Sequence, residues 1–205
     1  MVITEPKISV TPSLTLEDFR ITHVRGPVTQ QIRQAVLRAG GQPAWESLLT
    51  QVSEPCRKLF LSPIGSYEWV DADLAAEMNT AFLTLKGLEW LNSRGQDAAR
   101  EHLLTVHRWL LKLASPEFLL NNTPRILSLY YRGCKGAVEH AGAGETNLKL
   151  WARGYFPEFF SHSLVGWLQS ALELTGAKDL HIQHEPPTGQ GLDSVCHRYH
   201  VTWKR

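Results

Sequence analysis

Nine histidines, seven tryptophans and three cysteines are the residues of this 205-residue chain best suited to bind a metal, a cofactor or a planar ligand. Spacing decides how many of them can cooperate. A structural zinc needs three or four ligands converging from compatible faces. His102 and His107 are five residues apart, about 140° around a helix at roughly 100° per residue, so their rings diverge. His181 and His184 stand three apart in a strand pattern and fall on opposite faces, as do His197 and His200. His184 could still meet a residue of the last strand by pairing. Cys56, Cys134 and Cys196 are widely separated, which fits reduced thiols rather than a disulfide framework. No metal site is expected.

Covalent chemistry has little to work with. There is no G-x-S-x-G elbow, and Ser163 and Ser170 fall inside a helical pattern. Cys134 beside Lys135 has a neighbouring cation that favours thiolate, yet no histidine is placed to act as its base, so it reads as a small buried residue. Glu17-Asp18, Asp71, Asp73 and Glu77 read as helix caps and solvated faces. The Gly142-Ala143-Gly144 loop lacks the Lys-Ser or Lys-Thr of a phosphate loop. An enzyme is not expected. Twenty-one Lys plus Arg against 20 Asp plus Glu leave a charge of +1, without the basic excess of a nucleic-acid binder. A hydrophobic share of 43% excludes disorder as the main state. The N-terminus has no signal-peptide pattern and no apolar run approaches the roughly 18–20 residues of a membrane span, so a soluble cytoplasmic protein is expected.

Elements must position these residues. Residues 1–16, with Pro6 and Pro12 among Ser and Thr, read as an extended arm or linker, and 17–205 as a single domain. Pro27 opens a helix through Ile32, Val36 and Leu37 that stops at Gly40-Gly41. Trp45, Leu48, Leu49 and Val52 outline a second, and 55–66 reads as a turn-rich connection. Asp71 can cap a helix whose apolar face runs from Leu74 and Met78 through Phe82 to Trp90, with Gly95 as its stop. A further helix is expected over 97–113, and Asn121-Asn122-Thr123-Pro124 as a turn closing the helical part, 27–122. Beyond it the period becomes two. Strands are expected at 125–131 and 146–151, a helix from Pro157 to Gly176, then strands at 180–182 and 195–203. The sheet part, 123–205, is thus ββαββ, an antiparallel four-stranded sheet with a covering helix. The expected class is α+β, with an N-terminal helical layer against that sheet. Trp167 and Trp203 fall where helix meets sheet. Trp151 should point away from Leu148 and Leu150, as a candidate interface anchor.

This order of residues resembles a paralogous domain family of unknown function expanded in myxobacteria. The resemblance spans residues 22–203. It is carried by Val106-His107-Arg108, Pro116 and Phe118, Leu129-Tyr130-Tyr131, Leu164-Val165-Gly166-Trp167, Leu174-Thr175-Gly176-Ala177 and the ending from Cys196 to Trp203. The C-terminal layout is also distantly similar to the superfamily of haem-nitric-oxide-binding and 4-vinyl-reductase-type ligand-binding domains. That similarity implies a sensory or regulatory role with a ligand between helices and sheet, and no chemistry. In the haem-binding members a helical His is the proximal ligand and a Tyr-x-Ser-x-Arg motif holds the propionates. Carried over, the resemblance makes His107 the axial ligand and sets Tyr131 and Lys135 near the acidic groups. Gly133 replaces the hydroxyl and Lys135 the guanidinium, so the planar bidentate fork is missing.

The leading expectation is a non-enzymatic cytoplasmic signalling or interaction domain with protein partners and room for homo-oligomers. It would neither bind nucleic acid nor insert in a membrane. A small apolar ligand held between helices and sheet would regulate it, near His107, Tyr131, Lys135 and Trp167. The alternative is a haem or other small-molecule sensor with His107 on the iron.

Overall fold

A computed structural model describes residues 14–105, 115–156 and 158–204. His107 and Trp109 therefore lie outside the described residues, as does most of the arm expected over 1–16. Just after that arm, Leu16–Phe19 makes a single turn that buries Phe19.

The first half is helical, stitched by a small sheet. Strand β1 (His23–Arg25) leads into α1 (Gly26–Leu49), with Pro27 in its first turn. Gly41 breaks α1 at φ 66°, so the two helices expected there meet at a kink. The stretch expected as a turn-rich connection is instead helical: α2 (Glu54–Leu61) starts on Ser53, whose hydroxyl accepts from the Cys56 N–H at 3.4 Å. Strand β2 (Trp69–Asp71) ends on the cap of α3 (Ala72–Lys86), where Asp71 Oδ1 accepts from the N–H groups of Asp73 and Leu74. Glu77 is not merely solvated, since it accepts from the backbone N–H and hydroxyl of Ser53 and ties α3 to α2. Ile32, Trp45, Leu48, Phe60, Met78 and Phe82 form a core among these helices.

Two boundaries differ from expectation for one reason each. Gly87, not Gly95, stops α3, with φ 78° and its N–H on the Leu83 carbonyl at 2.8 Å. Gly95 lies inside α4 (Glu89–Thr105), because a glycine there serves close packing rather than termination. The strand expected at 125–131 is the second half of α5 (Pro116–Tyr130), capped by the Ser115 hydroxyl. Leu119, Leu120, Thr123, Ile126 and Leu127 are buried at helical spacing, and that face outweighs the strand propensity of Ile126 to Tyr131. Pro124 is carried within the helix.

Strand β3 (Tyr131–Arg132) then joins β1 and β2 in a three-stranded antiparallel sheet, order β2-β1-β3. The main sheet comprises β4 (Lys135–Gly142), β5 (Glu145–Trp151), β6 (Lys178–Glu185) and β7 (Cys196–Lys204). Its order is β4-β5-β7-β6, with antiparallel pairing throughout. Between β5 and β6 a wide π-type turn (Phe159–Ser163) feeds α6 (Leu164–Leu174). Leu164, Leu168, Ala171 and Leu172 of α6 share one core with Leu148 and Leu150 of β5 and Tyr199, Val201 and Trp203 of β7. The class is α+β, with two antiparallel sheets. No described helix is long and apolar enough to cross a membrane.

Candidate functional site

Helices α4 and α6 cross at van der Waals contact because both present glycine. A Cβ on Gly95 would collide with the Ser163 carbonyl, and one on Gly166 with the Asn92 carbonyl. The same crossing forms one end of a cavity of about 50 Å³. Its walls are Val28 and Gln31 of α1, Arg94, Gly95 and Ala98 of α4, and Ile126, Leu127 and Tyr130 of α5. Tyr131 of β3, with Phe159, Ser163, Leu164 and Trp167 around α6, completes them.

The described wall is mostly apolar, its polar groups being the Gln31 amide, the Tyr130, Tyr131 and Ser163 hydroxyls and one charge. Arg94 is 7% exposed, and arginine stays protonated in proteins. Its Nη1 donates to Asn79 Oδ1, and its guanidinium lies 5.6 Å from the Trp90 ring. Among the described residues it forms no ion pair. Burial pulls its pKa down from the ordinary value, against the opposing pull of Tyr155 and Tyr131. Those phenols belong to an aromatic group in which Tyr131, Tyr155 and Phe159 lie within 4.9–5.7 Å of one another, centroid to centroid. Burial pushes Tyr155 up to about 12 and Tyr131 well above its usual range, so both are neutral donors at ordinary pH. A buried charge left uncompensated costs about 3–5 kcal/mol, which makes this guanidinium the energetic oddity of the interior.

The residues singled out from the sequence are dispersed. Tyr131 and Trp167 both line the cavity. Lys135 does not, since it sits exposed on β4 with Nζ 5.1 Å from the centre of the Phe19 ring. Trp151 is half-buried, on the face of β5 opposite Leu148 and Leu150. Gly133 has a structural reason to lack a hydroxyl: its φ is 97°, and a Cβ would strike the Arg20 carbonyl. Cys134 is buried and its thiol is pushed up to about 12 by burial, so it carries no thiolate. Arg94 and Asn79 were missed. Their signal was present: Leu91, Arg94, Gly95, Ala98 and Ala99 follow helical spacing, which sets Arg94 on an apolar face once Gly95 is not a helix stop.

A second, more open groove of about 310 Å³ runs along Tyr155, Phe160, Ser161, His184, Pro186, Pro187 and His197. Cross-strand pairing of β6 with β7 brings His184 Nε2 to 3.1 Å from His197 Nδ1. The His197 ring stacks on Phe160 at 4.0 Å. Burial, then the neighbouring His184, lowers His197 to about 4, and burial lowers His184 as well. Two imidazoles alone do not complete a zinc shell, and no cluster of three metal-binding side chains occurs among the described residues.

The fold is similar to that of solved H-NOX proteins, the haem-nitric-oxide-binding domains. A point mutant of the Fe(II) unliganded H-NOX protein from K. algicida has a TM-score of 0.70 at 11% identity, covering 88% of this chain and 97% of that one. A mutant T. Tengcongensis H-NOX gives 0.59 at 10% identity, over 88% and 98%. An H-NOX protein from S. oneidensis in the Fe(II)NO ligation state gives 0.62 at 11%, over 88% and 99%. No protein-family model and no curated protein sequence matches the chain. The class is thus an H-NOX-like α+β fold, distantly similar to the haem-nitric-oxide-binding superfamily.

The described walls do not fit a haem. A dry cavity of about 150 Å³ takes benzene, and this one is about 50 Å³. No imidazole, thiol or thioether lines it among the described residues. Tyr131 is a neutral phenol, and Lys135 faces the outer surface.

Proposed function

We propose that this chain is a sensor domain that reads a small organic molecule in the cavity between α1, α4, α5 and α6. The H-NOX-like fold supports the sensory class. The single observation that carries the ligand is the buried guanidinium of Arg94, the one charged group in the described wall. An enzyme gains no support from the site, because neutral phenols line it rather than a nucleophile and base. Output to protein partners belongs to the same reading, with the half-buried Trp151 on the outer face of the main sheet as the contact to test.

A haem in the same place is the second reading, favoured by the fold likeness and by His107, which lies outside the described residues. An absorption titration with haemin separates the two, run beside mass analysis of molecules released from natively purified protein. The proposal expects no Soret band and no released haem. A Soret band that disappears in His107→Ala would overturn it in favour of haem.

A further inference from the structure

Resting on the cavity's being a ligand site, we infer that its ligand is a short-chain carboxylate whose acid group is taken by Arg94. Arginine presents five N–H donors in a planar fork that matches a carboxylate bidentately. Here one nitrogen is committed to Asn79 Oδ1, and no carboxylate of the described chain pairs with the group. The side chain is more than nine-tenths buried and lines the cavity. Tyr131, held protonated, adds a hydroxyl donor to the same wall. The Ser163 hydroxyl donates its proton to the Leu91 carbonyl at 3.2 Å, and no carboxylate lines the described wall to favour a cationic ligand.

Size narrows the ligand further. A cavity of about 50 Å³, smaller than the roughly 150 Å³ that takes benzene, suits an acid of a few heavy atoms. Leu127, Phe159 and Trp167 would cover its apolar end. Acetate, propionate and butyrate are therefore the probes. Their neutral counterparts acetamide, propionamide and butyramide match them in shape and lack the charge.

The experiment is a titration of the full chain with each probe at constant ionic strength, followed by the Trp167 indole resonance and by thermal unfolding. Acetate or propionate should shift that resonance with a millimolar dissociation constant, the amides at least tenfold more weakly. Arg94→Met should abolish the response while leaving the amide spectrum dispersed. Asn79→Asp is the second variant, because it supplies an internal carboxylate beside Arg94; binding should fall at least tenfold with the fold kept. Equal binding of amides and acids would overturn the carboxylate and leave the cavity as a ligand site. No probe perturbing Trp167 would overturn both. Chloride binding as well as acetate would make this an inorganic anion site and overturn the organic acid. Haemin binding lost in Arg94→Met would assign the guanidinium to a propionate and overturn the small acid.

Discussion

Asn79 holds Arg94 with its side-chain oxygen, while its nitrogen donates to the Ala75 carbonyl at 2.9 Å and to Tyr155 Oη at 3.2 Å. The amide is thus oriented by its own helix and by Tyr155 before it meets the guanidinium. Its one acceptor neutralises nothing. Arg94 stays a solvated charge without solvent, and the protein tolerates it at a cost that a ligand anion would offset.

That cost is measurable without ligand. Replacing buried ionic groups with apolar side chains of similar volume is often neutral or stabilising, because their desolvation is costly. Arg94→Met should raise apo stability by about 1–3 kcal/mol in urea unfolding. A clear loss of stability would mean that the guanidinium is already compensated inside the fold.

Asn79→Asp should also stabilise the apo protein, by about 1 kcal/mol, the direct charge-assisted bond to Arg94 exceeding the lost donation to the Ala75 carbonyl. Thermal unfolding checks this. The gain should vanish in the Arg94→Met background, and additivity of the two changes would show that the residues are not coupled.

The crossing of α4 on α6 sets the cavity's end, so it should resist even one methyl group. Gly95→Ala and Gly166→Ala each place a Cβ against a backbone carbonyl that cannot swing aside. Each should cost about 1–3 kcal/mol or more. The helical gain from alanine, about 1 kcal/mol, is too small to reverse the sign. Unchanged unfolding midpoints would contradict the packing.

The crossing also shows why the sequence was only partly legible. Patterns that depend on one element survived: the Asp71 cap, the break at Gly41, the alternation of β7 and the buried Leu148 and Leu150 of β5. Glycine was ambiguous. At Gly87 it stops a helix and at Gly95 it lets two helices touch, and only the partner helix distinguishes them. The segment from Ile126 to Tyr131 has strand propensity and a helical apolar face together, and packing of the face against the core decides. The site was harder still. Tyr131 and Trp167 line the cavity, whereas Arg94 carries no signal of its own, since a charged residue in a helix is usually solvated.

The histidine pair of the open groove predicts a pH dependence. His197 titrates at about 4 in the folded chain and near 6.5 when unfolded. Between those values the unfolded chain binds a proton that the folded chain does not. Stability should be independent of this group above pH 6.5 and fall as pH drops toward 4, by roughly 2–3 kcal/mol at about 1.4 kcal/mol per unit. His184 titrates in the same direction. His197→Phe keeps an aromatic ring on Phe160 and should flatten the curve over that window. An unchanged slope would place the dependence on the carboxylates.

The guanidinium of Arg94 reports the central claim most directly. Its Nε–H resonance, assigned in ¹⁵N spectra by its absence in Arg94→Met, should move downfield and gain protection from solvent exchange when propionate is added. It should stay fixed when propionamide is added. A resonance that ignores propionate at saturating concentration would contradict the assignment of this cavity as a carboxylate-reading site.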